Sequence, residues 1–388
     1  MNRISRTLAA IYESVVFGPV YGTLQYLIRS PEPLDPDATW TLLTRELHPV
    51  ADWARWNWPP TFMRSFLVAA KTRQDHLIGI SHHYDISNEF WELWLDRKYM
   101  LYSSADFPDS SESLEQAQTI KVHALLALIQ PKAGERILDL GSGWNGMLRP
   151  IYEETGDKKN LSGYTLSQYQ LDYNRAHEGF NVELRNFITT EYPEESFDKI
   201  LATGTMEHVR PNELYPLAVK LFRALKPGGS LTLQTNIRLA TPLPATVIAA
   251  QIFFPGSMAT PLIRFVRHFE RAGFRIVHRS FGDYRLTLRH WFMRLGANRD
   301  RAVALVGVRA YNRFLVYLCS AWRWHHDGVG TVLRLSMIKP DLYKCQQNGL
   351  CGRTDSITAR FDRSPARQDQ ATASPRPAQG QSTPASGW

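Results

Sequence analysis

Over residues 76–340, short apolar runs alternate with stretches of helical period. The runs 136–140, 161–167, 182–186, 197–204 and 230–235 read as strands, and 112–129 and 212–225 as helices. A further helix is expected directly after Gly143. Leu225-Lys226-Pro227-Gly228-Gly229 stops the helix before it, because glycine is free to take a positive φ. Strands alternating with helices predict an α/β fold with a doubly wound parallel sheet. Its ligand belongs at the carboxyl ends of the strands.

The flanks read differently. Residues 1–75 are aromatic-rich and predict a helical extension. Within them, 7–28 is largely apolar but broken by Glu13 and Gly18-Pro19, too interrupted for a spanning helix. It reads as a helix packed on the main domain, or as one lying on a membrane. Trp53, Trp56 and Trp58 suit a domain seam or a bilayer interface. Residues 346–388 are Ser, Pro, Gln, Ala and Arg with almost no large apolar side chain, so disorder is expected. One domain over 76–345 remains.

The strand Ile137-Leu138-Asp139-Leu140 runs into Gly141-Ser142-Gly143. Glycines there let a ligand approach the backbone. The full dinucleotide GxGxxG is absent. The second strand exits at Thr165-Leu166-Ser167-Gln168-Tyr169-Gln170, with no acid to bind the ribose of a nicotinamide cofactor. Thr165 and Gln170 suit an adenosine or methionine moiety instead. Thr165 or Ser167 also reads as a helix N-cap, and both readings can hold together.

The chain has 388 residues, 44% of them apolar, ample for a core. A net charge of +8 favours a phospholipid surface, nucleic acid or an acidic substrate, or serves solubility alone. Three cysteines make no disulfide framework and read as free thiols in a reducing cytoplasm. His82, His83 and His208 lack a third ligand at a sensible spacing and read as capping or core histidines. No metal site is expected.

In this order the motifs resemble the cyclopropane-fatty-acyl-phospholipid synthases, a family of S-adenosylmethionine (SAM)-dependent methyltransferases that includes the mycolic acid cyclopropane synthases. The resemblance covers about residues 76–340. It is carried by His83-Tyr84-Asp85-Ile86-Ser87-Asn88-Glu89-Phe90, by Tyr102-Ser103-Ser104-Ala105-Asp106-Phe107, and by the glycine turn through Trp144. It continues through Thr165–Gln170, Met206-Glu207-His208-Val209, the Pro-Gly-Gly stop, Phe254-Pro255-Gly256 and the segment Tyr284–Trp291.

The resemblance implies a Rossmann-like methyltransferase fold with a helical N-terminal extension and lid. SAM is then held by Tyr102, Ser103, Gly141, Ser142, Gly143, Thr165, Leu166 and Gln170. The implied reaction adds the SAM methyl to the double bond of an unsaturated acyl chain. The resulting carbocation needs a dry site with aromatic faces and a carboxylate. Tyr84, Tyr102, Tyr284 and Glu207 stand where the family places these groups. In the family a bicarbonate then removes a proton from the new methyl group to close the ring. Here Ser104 replaces its Cys and Gln234 its His, while Glu207 and Tyr284 are kept and Asn236 supplies the backbone contact. Ser and Gln can still donate hydrogen bonds to an anion, but Gln cannot shuttle a proton. A methyl-branched or methylene-bearing chain is therefore expected, with the cyclopropane as the alternative.

The implied partners are a phospholipid membrane surface and its unsaturated acyl chains, not nucleic acid, and the reading allows a homodimer. The implied location is cytoplasmic, peripheral on the inner face of the membrane. Two other readings stay open: a small-molecule N-methyltransferase, and a SAM- or lipid-binding relative that has lost catalysis. Single residues have plainer roles too. Glu207 could serve a helix start, and Tyr284 and Trp291 could be core aromatics. Arg264, Arg267, Arg271 and Arg275, with the basic stretch 294–301, could form a solvated face or a headgroup patch.

Overall fold

The computed structural model describes residues 18–57, 83–240 and 259–341, together with 60, 62, 243, 247 and 250–254. The apolar segment before residue 18, Trp58, His82, Pro255-Gly256, Cys345, Cys351 and the tail lie outside the described residues.

Buried apolar runs give the strands. Strand β1 (Ile137–Leu140) is buried at every position, as a central parallel strand must be. It pairs in parallel with β2 (Leu161–Thr165) and β4 (Phe197–Thr203). Strand β3 (Asn181–Leu184) extends the sheet beyond β2. Strand β5 (Leu225–Arg238) pairs with β4. Two strands that the sequence reading did not place complete it: β6 (Arg275–Gly282) and β7 (Gly330–Ile338). The order is β3-β2-β1-β4-β5-β7-β6, with β7 antiparallel to both its neighbours. The doubly wound parallel sheet is thus present and carries an antiparallel strand near one edge.

Helix α1 (Gly18–Ile28), α2 (Pro36–Thr44) and α3 (Pro49–Asn57) form the N-terminal extension. A short α4 (Asn88–Glu92) follows. Then comes α5 (Leu114–Ile129), opened by a complete Ser113/Gln116 capping box. The glycine turn departs from expectation. The next helix, α6 (Leu148–Thr155), begins only at Leu148, so no helix N-terminus follows Gly143 directly. After β2 comes α7 (Gln168–Tyr173), capped by Ser167, which accepts from the Gln170 N–H. Helix α8 (Leu214–Ala224) precedes β5, and α9 (Leu262–Arg271) precedes β6. Helices α10 (Arg285–Ala297) and α11 (Arg299–His326), the latter broken at Gly307, lead to β7.

The extension is tied to this body. Leu24 and Ile28 of α1 pack with Phe253 and Val316, which favours the packed-helix reading for the described part of 7–28. Trp53 stands exposed. Fully buried Asn312 on α11 accepts from the Leu34 N–H (2.8 Å) and donates to the carbonyls of Glu32 (3.1 Å) and Ser30 (3.4 Å). Asn312→Ala leaves these backbone groups without partners and is expected to cost roughly 2–3 kcal/mol. A lower urea midpoint at unchanged m-value checks this, and an unchanged midpoint refutes the tie.

Candidate active site

Strand order places the site. The order in which strands are added reverses between the parallel strands β1 and β4, and a cavity of about 860 Å³, partly open to solvent, lies over their carboxyl ends. It is lined by Tyr102, Ser103, Gly141, Ser142, Gly143, Thr165, Leu166 and Gln170, so every expected cofactor residue faces one space.

The two glycines do different jobs. Gly143 has φ +57°, and a Cβ there would enter open space, 3.9 Å from Gln170 Nε2. Gly141 has φ +86°, but its missing Cβ makes room for Thr205, whose Cγ2 would stand 2.1 Å away. Gly141 therefore serves packing against the β4 exit while also lining the cavity. Thr165 donates to Gln170 Oε1 at 2.6 Å, which leaves the Gln170 amide nitrogen for the cavity. Ser142 Oγ is buried without a partner.

A second cavity, about 960 Å³, adjoins the first. Its lining is largely aromatic and apolar: Phe253, Phe254, Tyr284, Tyr317 and Trp324, with Glu207 and His325 among them. Tyr84, Tyr102, Gly204 and His208 line both cavities. The Tyr84 hydroxyl and His208 Nε2 lie 3.0 Å apart, and His83 Nε2 and the Tyr102 hydroxyl 3.1 Å apart. Both histidines thus orient tyrosines. Among the described residues no group of His, Cys, Asp and Glu is arranged to hold a metal.

Glu207 sits on a single turn, Met206–His208, after β4. Its two oxygens accept from the Thr235 hydroxyl (2.8 Å) and Asn236 Nδ2 (3.0 Å), both on β5. It is therefore held from across the sheet, and it also accepts from its own backbone N–H at the start of that turn. Burial pushes its pKa up, and the hydrogen bonds from its own backbone N–H, from Thr235 and from Asn236 hold it back. Asn236 matters through its side chain, not only through its backbone as expected. Burial likewise raises the Tyr84, Tyr102 and Tyr284 hydroxyls well above the ordinary tyrosine value, so all three stay protonated.

A small third space, about 170 Å³, lies between Ser104, Glu207, Gln234 and Tyr284. Ser104 and Gln234 both line it, and each also meets neighbouring protein groups. Gln234 Nε2 donates to the Ser104 carbonyl at 2.9 Å. Gln234 Oε1 accepts from Arg334 at 2.7 and 3.2 Å, because β5 and β7 pair these two residues side by side. Arg334 also binds Asp106 at 3.0 Å. The Ser104 hydroxyl lies 3.4 Å from the carbonyls of Ala105 and Asp283.

Sequence reasoning missed several of these groups. Lys121 is fully buried on α5 and donates to Ser103 Oγ at 2.8 Å. Burial draws its pKa down to about 7. A signal existed: Leu114, Gln118, Lys121, Val122 and Leu125 share the apolar face of the helix. Nothing in the local pattern singles out Thr205, Tyr317, His325 or Arg334.

Residues 71–334 match the mycolic acid cyclopropane synthetase family. The chain belongs to that family. It is a SAM-dependent methyltransferase of the cyclopropane synthase type. A probable fatty acid methyltransferase of Pseudomonas putida is 31% identical over 275 residues, 68% of this chain and 69% of that protein. Cyclopropane mycolic acid synthase 2 of Mycobacterium leprae is 28% identical over 293 residues, 67% of this chain and 93% of that protein. The cyclopropane synthase MmaA2 of Mycobacterium tuberculosis shares the fold, with TM-score 0.63 at 24% identity over 70% of this chain and 99% of that one. The first cavity fits the cofactor of such a methyltransferase: it combines an orphaned Ser142 hydroxyl, a free Gln170 amide and the cradle that a Gly143 Cβ would fill.

Proposed function

We propose that this methyltransferase acts on the double bond of unsaturated acyl chains in phospholipids. The observation that carries the reading is the meeting of the two cavities at Tyr84, Tyr102, Gly204 and His208. One cavity is built on the glycine turn, and the other is a largely aromatic chamber with Glu207 in its wall.

SAM, bound over Gly141–Gly143 and Thr165–Gln170, supplies an electrophilic methyl group. The chain's own residues do the rest. Tyr84, Tyr102 and Tyr284 offer ring faces to a cationic substrate carbon. Glu207 supplies the opposing charge, fixed by Thr235 and Asn236 so that it need not reorganise. The apolar walls keep water from the cation. The same carboxylate and rings would hold a small amine. The test is therefore transfer of labelled methyl from SAM to vesicles of unsaturated phospholipid, with amines as the competing substrates. Label in lipid supports the proposal, and label confined to amines overturns it.

Gly143→Val tests the cofactor placement. A β-branched residue at φ +57° is strained, and its side chain projects into the cavity beside Gln170. Calorimetry is expected to show SAM binding by the parent and none by the folded variant. Undiminished binding would refute the placement.

A membrane surface is part of the proposal. Arg264, Arg267 and Arg271 lie along one exposed face of α9, beside Ile263, which is 80% exposed. Among the described residues no helix is long and apolar enough to cross a bilayer. Binding to anionic vesicles is expected to weaken with salt, as the Debye length falls from about 10 Å at 0.1 M to about 3 Å at 1 M. Sedimentation equal for neutral and anionic vesicles would count against this surface.

A further inference from the structure

A buried ammonium stands behind the wall of the cofactor cavity. Lys121 on α5 is fully buried. Among the described residues its one hydrogen-bond partner is Ser103 Oγ, at 2.8 Å, and it forms no ion pair. The nearby carboxylates are engaged elsewhere. Asp96 accepts from the backbone N–H groups of Tyr99 (2.6 Å) and Leu101 (2.9 Å). Asp106 pairs with Arg334 at 3.0 Å. Burying a charge without an opposite partner is costly, so its position is informative.

The ammonium is spent on a residue of the cavity wall, since Ser103 lines the cofactor cavity. Gln118, one turn earlier on the same face of α5, donates to the carbonyls of Leu101 and Ser103, each at 3.1 Å. The segment that carries Tyr102 and Ser103 is thus gripped from behind. An ammonium donates and cannot accept, so it occupies a lone pair of Ser103 Oγ and turns the hydroxyl hydrogen away from itself. A hydroxyl held in this way is a donor with positive charge at its back, which favours an anion and opposes an amine. SAM carries one anionic group, the carboxylate of its amino-acid arm. The rest of the wall offers little for it. Of the described residues that line the cavity, Arg185 alone is a lysine or arginine, and it is half-exposed and paired with Glu183 at 2.6 Å.

We propose that Lys121 is a positioning residue for the cofactor, its ammonium holding Ser103 so that the Ser103 hydroxyl donates to the carboxylate of SAM. The proposal rests on the cofactor placement above. It also predicts a pH dependence. Burial draws the Lys121 pKa down to about 7; Asp96 and Asp106 oppose this, and Arg334 adds to it. Glu115, on the same helix, faces Asp96. A carboxylate arriving at Ser103 favours the charged lysine. The affinity that it contributes is therefore complete below that pKa and declines as pH rises above it.

Calorimetry on the full chain separates the two arms of the cofactor. The probes are S-adenosylhomocysteine, which keeps the carboxylate, and methylthioadenosine, which lacks the whole amino-acid arm. Lys121→Met removes the charge at similar length. The variant is expected to bind S-adenosylhomocysteine about 10- to 100-fold more weakly than the parent, and methylthioadenosine equally well. Equal losses for both probes would mark a structural role and overturn the proposal, as would an unchanged affinity for S-adenosylhomocysteine. The parent alone gives a second test that needs no folded variant. Between about pH 6 and pH 8 its preference for S-adenosylhomocysteine over methylthioadenosine is expected to fall about fivefold. A preference independent of pH would overturn the proposal. If Gly143→Val leaves both probes bound, the cofactor placement itself fails and takes this proposal with it. A Lys121→Met protein that binds both as the parent does removes only the lysine.

Discussion

Glu207→Gln is expected to lower the rate of methyl transfer by about 10²- to 10³-fold while leaving SAM binding intact, the loss typical when one preorganised electrostatic partner is removed. Gln is isosteric and can still accept from Thr235 with its oxygen, so folding should survive. What disappears is the negative charge opposite the cation, in a largely aromatic and apolar chamber. The new amide nitrogen would face Asn236 Nδ2, a donor–donor contact confined to that one pair. The parent's pH profile provides an independent check. The reactive form is the carboxylate, so activity falls as pH drops through its pKa. Burial raises that pKa, so the acid limb should sit above the ordinary carboxylate range. In Glu207→Gln that limb should vanish. Single-turnover kinetics measure the step, and a variant within a few-fold of the parent would remove Glu207 from the chemistry.

The sheet and the cofactor cavity were legible because both are written in local pattern. An apolar run that ends in Gly-Ser-Gly has few other uses, and the expected residues from Tyr102 to Gln170 line one cavity. The antiparallel strand β7 was not legible, since its pairing with β5 spans about a hundred residues and leaves no local mark. The same pairing explains what was missed at Gln234. Its chemistry in isolation is that of a donor for an anion, but Arg334 arrives beside it from β7 and takes its oxygen. His325 was invisible for a similar reason. In the sequence it follows two tryptophans in a basic helix end, and only the fold brings it against Tyr284. Gly141 lines that cavity, and its missing Cβ also makes room for Thr205, a need that no local pattern announces.

The parent protein is expected to give an open-chain, methyl-branched product with no cyclopropane. Ring closure needs a base at the added methyl, and the space between Ser104, Glu207, Gln234 and Tyr284 is small, about 170 Å³. Gln234 donates one amide N–H to the Ser104 carbonyl and accepts from Arg334 with its oxygen, which leaves a single N–H for an anion. The fixed positive charge of Arg334 is balanced by Asp106 and does not call for another partner. Proton NMR of the isolated acyl ester decides the matter. Olefinic and methyl-branch signals are expected, and upfield ring-methylene signals would refute the prediction. Mass alone cannot decide, because both products add one CH₂. Ser104→Cys with Gln234→His rebuilds the two missing side chains, but the new imidazole would face the Arg334 guanidinium, which disfavours its protonation. Adding Arg334→Gln removes that opposition. Ring signals that emerge only in the triple variant would assign the open-chain outcome to the Gln234–Arg334 contact.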